Sequence, residues 1–366
     1  MKFSGIFRGT FAAGLCVAAI MAGAAARADL GGTLLSLGAA PSIAQQFQSQ
    51  IASALGGVLG TTLGSLTGSL GQSLLGVGGL LQGVGGDYLD PTPGTANSVG
   101  YISWQGLPRR YVAIYPVDAP QGAPVFILLH AHGVSPERMA NLARAGRLAA
   151  DDGAIVLVPE GEGLHWNDDP TSGSPIDDVG FLSHLIDRAV ADFGVDATRV
   201  YAAGYSNGGF MAERLGCELA VRIAGVGAVA ATMRVGLAAH CSPARAMPLV
   251  LMLGNADPVI WYDGNQLFES AAQTAALWSG YDGCGSAMQT QRLPNAVKDG
   301  TRVVLTQFTA CPQNVGLSLY TIDSGGHTWP GSSDGAYTTE LGRTTHNLDA
   351  TVALWQFLIA FNSNPS

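Results

Sequence analysis

The chain has 366 residues and a formal net charge of −9, and 47% of its residues are hydrophobic while only 12% are charged. Its length permits one large α/β domain or two smaller ones. A negative field of this size repels a phosphate backbone, so the composition argues against nucleic acid as a partner.

The N-terminus has the composition of a secretory signal. Basic residues precede an uncharged, largely apolar stretch at 11–24, and an Ala-Arg-Ala sequence at 26–28 offers a leader-peptidase site. The apolar stretch is short for a membrane span. We predict a signal peptide at 1–28, with an uncleaved anchor as the alternative, and export to the periplasm, the cell surface or the medium. Cleavage removes three positive charges, which changes the formal charge from −9 to −12.

The next segment, at 29–99, is predicted to precede the folded domain. It contains no charged residue from 30 to 86, and glycines recur at 56, 60, 64 and 68 with leucines between them. In a helix these glycines would form a smooth packing face, although each costs up to about 1 kcal/mol of helix stability. A flexible spacer and an adhesive element that associates with a hydrophobic surface or membrane both remain open.

From residue 100 to 366 the pattern predicts a single α/β domain. Strands and helices alternate there, which is typical of a doubly wound, mostly parallel sheet. Strands are predicted at 110–117, 125–129, 155–159, 198–203, 223–231, 248–253, 303–308 and 317–322, and helices at 136–150, 177–193, 209–215 and 348–361.

A Gly-Tyr-Ser-Asn-Gly sequence at 204–208 lies between a predicted strand and a predicted helix. A serine at such a turn is held in strained backbone geometry with its hydroxyl above the sheet, and the flanking glycines allow strand and helix to approach closely. Ser206 is therefore the candidate nucleophile for acyl-bond hydrolysis.

A serine hydroxyl needs a neighbouring base, and in this type of fold an acid and then a histidine follow the serine, each after a strand. Asp257 lies just beyond the strand at 248–253, and Asp263 is the alternative acid. His327 follows the last strand behind two glycines that allow a sharp turn. We predict the triad Ser206, Asp257 and His327. Four other histidines are weaker candidates for the base: His165, His184, His240 and His346. His130 and His132 differ, because they end the strand at 125–129, where the oxyanion hole is expected.

The oxyanion hole is expected from two backbone N–H groups. One belongs to Asn207, the residue after the nucleophile, and the second comes from Ala131 or His132 in the turn that follows the strand at 125–129. Losing one such donor typically removes about 3–4 kcal/mol of transition-state stabilisation.

Four cysteines follow the predicted signal peptide, and an even number in an exported protein suggests disulfides. Three connectivities are possible; Cys217–Cys241 and Cys284–Cys311 are favoured because each pair brackets one local segment. No pair has the close spacing of zinc ligands, so a metal site is not expected, nor is a cofactor.

The four motifs together resemble the secreted poly(3-hydroxybutyrate) depolymerase-like esterases, relatives of the feruloyl and acetylxylan esterases. The resemblance covers about 100–361 and rests on the sequences at 177–181, 204–209, 253–258 and 326–331. It implies an α/β-hydrolase fold, the triad named above and the local cysteine pairs. Two features depart from the family: Ala131 and His132 stand where it usually has glycines, and the segment at 30–86 has no recognised counterpart.

Four aromatic residues are expected to line the substrate cleft or, alternatively, to belong to the core: Trp166, Trp261, Tyr262 and Trp329. An apolar rim favours a polyester or an aryl ester over a small sugar acetate. The leading hypothesis is a secreted esterase for poly(3-hydroxyalkanoate) chains, with a feruloyl or acetylxylan esterase as the alternative. An acyltransferase, or an adhesive protein that acts through 30–86, remains possible.

Overall fold

The structure is a computed structural model that describes residues 88–333 and 340–363. The predicted signal peptide at 1–28 and the uncharged segment at 30–86 lie outside the described residues. The chain divides into the units Met1–Gly86 and Asp87–Ser366, and the fold below is that of the second unit. No helix in the described ranges has both the length and the apolar character needed to cross a membrane.

The described part contains one ten-stranded sheet. In chain order its strands are β1 (Thr95–Trp104), β2 (Leu107–Pro116), β3 (Val125–Leu129), β4 (Ile155–Pro159), β5 (Val200–Tyr205), β6 (Gly225–Val229), β7 (Leu249–Gly254), β8 (Met288–Arg292), β9 (Arg302–Phe308) and β10 (Leu317–Asp323). The helices are α1 (Pro136–Leu142), α2 (Gly146–Asp152), α3 (Asp178–Phe193), α4 (Asn207–Glu218), α5 (Val235–Ala238), α6 (Ala271–Tyr281) and α7 (Ala350–Leu358).

The strand order is β1-β2-β4-β3-β5-β6-β7-β10-β9-β8. The six central strands, from β4 to β10, run parallel, and antiparallel pairs extend the sheet at both edges. This is the α/β-hydrolase fold expected from the sequence. In a parallel sheet every strand ends at the same edge, so the residues after β3, β5, β7 and β10 meet there.

Both faces of the sheet are covered, which explains the continuous apolar runs of the central strands. In β3, Val125, Ile127 and Leu129 pack into one core cluster while Phe126 and Leu128 pack into the other. Helices α3, α4 and α6 contribute to the first cluster, and α1, α2 and α7 to the second. The alternation confirms the predicted doubly wound arrangement.

The helix predicted at 136–150 is two helices. Arg144 has a φ of 50°, which breaks the run between α1 and α2. Gly146 starts α2 in close contact with Thr92, where a Cβ would clash with the threonine side chain. The break at Arg144 does not change the layer arrangement, because α1 and α2 cover the same face of the sheet.

The first strand of the sheet was not predicted, since β1 begins at Thr95, before the predicted domain start at residue 100. It forms a hairpin with β2 through Gln105 and Gly106, whose φ values of 50° and 81° are both positive. Two successive positive φ values define the tight turn that matches the twist of paired strands. The folded domain therefore includes residues that the sequence had assigned to the linker.

Candidate active site

Ser206 occupies a strained turn between β5 and α4. Its φ of 55° and ψ of −118° lie in a region that residues other than glycine rarely adopt. A Cβ at Gly204 would clash with the carbonyl of Gly208, and a Cβ at Gly208 would clash with the carbonyl of Leu129. The two glycines therefore permit the close approach of strand and helix that the sequence predicted around the serine.

Three side chains from distant parts of the chain form a hydrogen-bonded relay at the carboxyl edge of the sheet. His327 Nε2 lies 2.9 Å from Ser206 Oγ, and His327 Nδ1 lies 2.8 Å from Asp257 Oδ2. The histidine follows β10 and the aspartate follows β7, and both side chains are buried. The alternative acid, Asp263, is exposed on the same loop and lies outside this relay.

Backbone contacts fix the orientation of both relay partners of the serine. The second oxygen of Asp257 accepts the N–H groups of Val259 and Ile260 at 2.8 and 2.9 Å. The Tyr205 hydroxyl donates to the carbonyl of His327 at 2.7 Å, and the His327 N–H donates to the Leu341 carbonyl at 2.6 Å. Because the carboxylate can only accept, Nδ1 carries the proton and Nε2 is left to accept from the serine hydroxyl.

The backbone around Ser206 offers the N–H groups expected of an oxyanion hole. Asn207 opens α4, where the first N–H groups of a helix have no intrahelical acceptor. Within the described residues, the N–H groups of Asn207 and Ala131 donate to no protein acceptor. Ala131 and His132 line the same pocket as Ser206, so the turn after β3 faces the nucleophile.

The His130 side chain holds the turn after β3 through two hydrogen bonds. Its Nδ1 contacts the carbonyl of Ala131 at 2.8 Å, and its Nε2 accepts the Gly161 N–H at 2.9 Å. Burial lowers the pKa of His130 to about 4, so its imidazole is neutral at neutral pH. The neutral ring donates from Nδ1 and accepts at Nε2, which suits a structural role in the turn.

The pocket beside Ser206 has a volume of about 200 Å³ and a mainly apolar wall. The apolar and aromatic residues that line it are Ala131, Val134, Leu142, Tyr205, Val259 and Leu341. His132 and Arg138 add polar groups to the wall. No motif marked Val134, Leu142, Val259 or Leu341 in the sequence, because ordinary aliphatic residues in loops and short helices carry no distinguishing pattern.

The four aromatic residues predicted for the cleft do not line this pocket. Trp166 and Trp329 lie in the core, where their indole N–H groups donate to the His130 carbonyl and to Thr351 Oγ1. Tyr262 is half-buried against Thr321, and Trp261 is 56% exposed. Trp166 and Trp329 can be buried in the core because the N–H group of each indole has a hydrogen-bond acceptor there.

The remaining histidines are not part of the relay. His165 contacts His132, with 3.0 Å between their Nδ1 atoms, and the His184 ring lies against the Trp104 ring, with 4.2 Å between the centroids and a tilt of 43°. His240 and His346 are exposed. Within residues 88–333 and 340–363, no group of three or more His, Cys, Asp or Glu side chains could hold a metal ion.

Both favoured cysteine pairs are present as disulfides. Cys217, near the end of α4, is bonded to Cys241, and Cys284, after α6, is bonded to Cys311, after β9. The first bond links α4, the helix that follows the candidate nucleophile, to the segment after α5. Each bond restricts the unfolded chain and so stabilises the fold.

No protein-family model matches the chain. It is 29% identical over 263 residues to NocK of Nocardia uniformis subsp. tsuyamanensis, which is named an esterase; the match covers 66% of this chain and 75% of NocK. It is 28% identical over 236 residues to feruloyl esterase B of Piromyces equi, covering 60% of this chain and 42% of that protein. The chain thus spans less than half the length of the feruloyl esterase.

Among solved structures, the acetyl xylan esterase of Aspergillus awamori is 12% identical, with a TM-score of 0.49, covering 63% of this chain and 94% of that one. The two sequence matches reported above are both to proteins named as esterases.

Proposed function

We propose that this protein is a serine hydrolase of carboxylic esters, with Ser206 as nucleophile, His327 as base and Asp257 as the acid that orients the base. The observation that carries the proposal is the relay of 2.9 and 2.8 Å at a strained strand-to-helix turn. The esterase names of its sequence relatives support the same reaction class.

The geometry supports a two-step acyl transfer. Ser206 Oγ attacks the ester carbonyl while its proton passes to His327 Nε2, and Asp257 stabilises the resulting imidazolium. The N–H of Asn207 and that of Ala131 or His132 hold the negative oxygen of the tetrahedral intermediate. The imidazolium then protonates the leaving alcohol, and a water molecule, activated by the same histidine, releases the acid from Ser206.

We infer from its volume of about 200 Å³ that the pocket accepts an acyl group larger than acetyl. Its wall is mainly aliphatic, and Arg138 and His132 place polar groups among those aliphatic residues. An aromatic acid with a polar ring substituent would match both parts of such a wall. Together with the similarity to a feruloyl esterase, this leads us to propose hydroxycinnamate esters as the substrate class, in place of the polyester that the sequence motifs first suggested.

The reaction class is tested by the Ser206→Ala variant. The variant should lose hydrolysis of p-nitrophenyl butyrate, while Ser279→Ala, which removes a hydroxyl from α6, should retain it. Turnover by Ser206→Ala at the wild-type rate, with the variant purified free of host esterases, would refute the proposed nucleophile.

The substrate class is tested by a comparison of kcat/KM on methyl ferulate, acetylated xylan and soluble hydroxybutyrate oligomers. We expect methyl ferulate to give the highest value. A higher value on the oligomers would restore the polyester hypothesis, and a higher value on acetylated xylan would show that the pocket does not select for size. Adding an alcohol acceptor and analysing the products distinguishes hydrolysis from acyl transfer.

We also propose that the protein works in an oxidising compartment outside the cytoplasm. The two disulfides support this location, because such bonds persist where thiols are not kept reduced. Fractionation of producing cells, with the N-terminus of the exported form determined by sequencing, tests both the location and cleavage after residue 28. Accumulation of a reduced, full-length chain in the cytoplasm would contradict the proposal.

A further inference from the structure

Trp166 connects the two halves of the proposed oxyanion hole, and its buried position suggests a role that the cleft hypothesis missed. At one end, the side-chain amide of Asn207 pairs with both backbone groups of Trp166: Oδ1 accepts the Trp166 N–H at 2.7 Å, and Nδ2 donates to the Trp166 carbonyl at 3.0 Å. Asn207 is only 5% exposed. The residue that carries the first oxyanion donor is therefore fixed to the backbone of Trp166.

At the other end, the indole of Trp166 holds the peptide that carries the second candidate donor. Its Nε1–H donates to the carbonyl oxygen of His130 at 3.0 Å. That carbonyl and the N–H of Ala131 belong to the same planar, trans peptide unit, so they point in opposite directions. A bond that fixes the His130 oxygen thereby fixes the direction of the Ala131 N–H.

A buried ion pair supports the first end of this connection. Asn207 Nδ2 also donates to Asp168 Oδ2 at 2.9 Å, and the same oxygen accepts from Arg234 Nη2 at 3.0 Å. The Arg234 guanidinium lies over the rings of Phe210 and Phe268. Asp168 is 4% exposed, so its hydrogen bonds are shielded from water. Hydrogen bonds to a charged group are stronger in such a buried environment than in water.

We propose that Trp166 is a positioning residue that sets the separation and direction of the two oxyanion donors. The indole itself is fully buried and does not line the pocket beside Ser206, so it has no surface open to a substrate. It acts through the His130–Ala131 peptide on one side and through Asn207 on the other. Since removal of a whole oxyanion donor typically lowers kcat by 10²–10³-fold, misdirection of one should lower kcat by at least about tenfold.

The test replaces Trp166 with β-(3-benzothienyl)alanine, which keeps the shape of the indole and has sulfur in place of the N–H. We expect kcat to fall at least about tenfold and KM to change by less than about twofold, since the donors act on the transition state. The affinity for a trifluoromethyl ketone, which forms an oxyanion on the serine, should fall in parallel with kcat/KM.

The matched control is the same replacement at Trp104, whose Nε1–H donates to the carbonyl of Asp177 at 3.0 Å, away from the pocket. This control should keep the wild-type kcat and inhibitor affinity. Wild-type kcat and inhibitor affinity in the folded Trp166 variant would overturn the proposal, as would an equal loss of kcat in both variants.

Asn207→Ala provides a second, independent test should the Trp166 variant fail to fold. It releases the other end of the connection but retains the backbone N–H, so kcat should again fall while KM is kept. Wild-type kcat in Asn207→Ala would overturn the proposal.

The inference rests on the proposed function, and the two can fail separately. Retained turnover in Ser206→Ala would contradict both the proposed nucleophile and the role of Trp166. An inactive Ser206→Ala variant combined with wild-type kcat in the Trp166 and Asn207 variants would contradict only the role of Trp166.

Discussion

Glu213, on the helix that begins at the nucleophile turn, makes the stability of this fold depend on pH in a direction that can be calculated. Its side chain is fully buried; one carboxyl oxygen accepts the Trp278 indole N–H at 2.9 Å, and the other has no partner in the described structure. Burial raises the pKa of Glu213 from 4.5 to about 8. The group is therefore protonated in the folded state at neutral pH and ionised in the unfolded state.

Because the folded state binds the proton more tightly, stability falls as the pH rises from about 4.5 to about 8. At about 1.36 kcal/mol per pKa unit, the loss is about 1 kcal/mol at pH 5, about 3 kcal/mol at pH 7 and about 5 kcal/mol at pH 9. Glu213→Gln preserves the acceptor for the indole and cannot ionise. Its stability relative to wild type should therefore increase by about 4 kcal/mol between pH 5 and pH 9.

The assay is equilibrium urea unfolding of wild type and Glu213→Gln, without reductant, at pH 5, 7 and 9. Subtraction of the two curves removes groups that both proteins share, including Asp282, whose pKa burial raises to about 7. Glu162→Gln, at an exposed position, controls for charge alone and should leave the pH profile unchanged. A stability difference between wild type and Glu213→Gln that stays constant from pH 5 to pH 9 would show that Glu213 is not the source of the pH dependence.

Four further variants test the site and its scaffold. Asp257→Asn should lower kcat about 10⁴-fold with KM little changed, as the corresponding change does in a serine protease, because the histidine loses the partner that sets its tautomer; a loss below tenfold would argue against the relay. Gly208→Ala should lower both kcat and the unfolding temperature, since its Cβ clashes with a carbonyl of β3, whereas Gly280→Ala, which meets no atom within 4 Å on α6, should stabilise the protein by about 0.5–1 kcal/mol in the same unfolding assay. Replacing Cys284 and Cys311 together by serine opens a loop with a sequence separation of 27 and should reduce the free energy of unfolding by about 3 kcal/mol, while an unchanged urea midpoint would contradict that assignment.

The sequence predicted the central sheet and the location of the three relay residues because both depend on local patterns. The strand β3 is a continuous apolar run buried on both faces, and Ser206 lies in a Gly-X-Ser-X-Gly sequence between β5 and α4, the context that predicts the turn. Asp257 and His327 each follow a strand, and parallel strands end at one edge. The position of each residue directly after a parallel strand was therefore sufficient to predict that the three side chains meet.

The elements that were missed have weak or unusual patterns. All five residues of β8 are exposed, so it shows no hydrophobic alternation. The helix α6 has a mixed apolar composition, and the signal for its start is a capping box between Ser270 and Gln273. Local propensity gives little information for β8, because its pairing with β9 decides the structure.

For Trp166 and Trp329 the alternative interpretation, the core, is the one that agrees with the structure. An aromatic residue near a catalytic motif can belong to the pocket or to the core, and the choice depends on whether its polar atom finds a buried partner. The partners of Trp166, at positions 130 and 207, are 36 and 41 residues away in the chain. No local pattern predicts such contacts, so only the three-dimensional structure shows that Trp166 bridges the two sides of the site.

Covalent labelling with a fluorophosphonate, followed by peptide mass spectrometry, tests the proposed nucleophile most directly. We expect one phosphonate per chain, on Ser206, with loss of ester hydrolysis in proportion to labelling and almost no labelling in His327→Ala. Full ester hydrolysis by a protein that remains unlabelled at this serine, or labelling that does not depend on the histidine, would contradict this expectation.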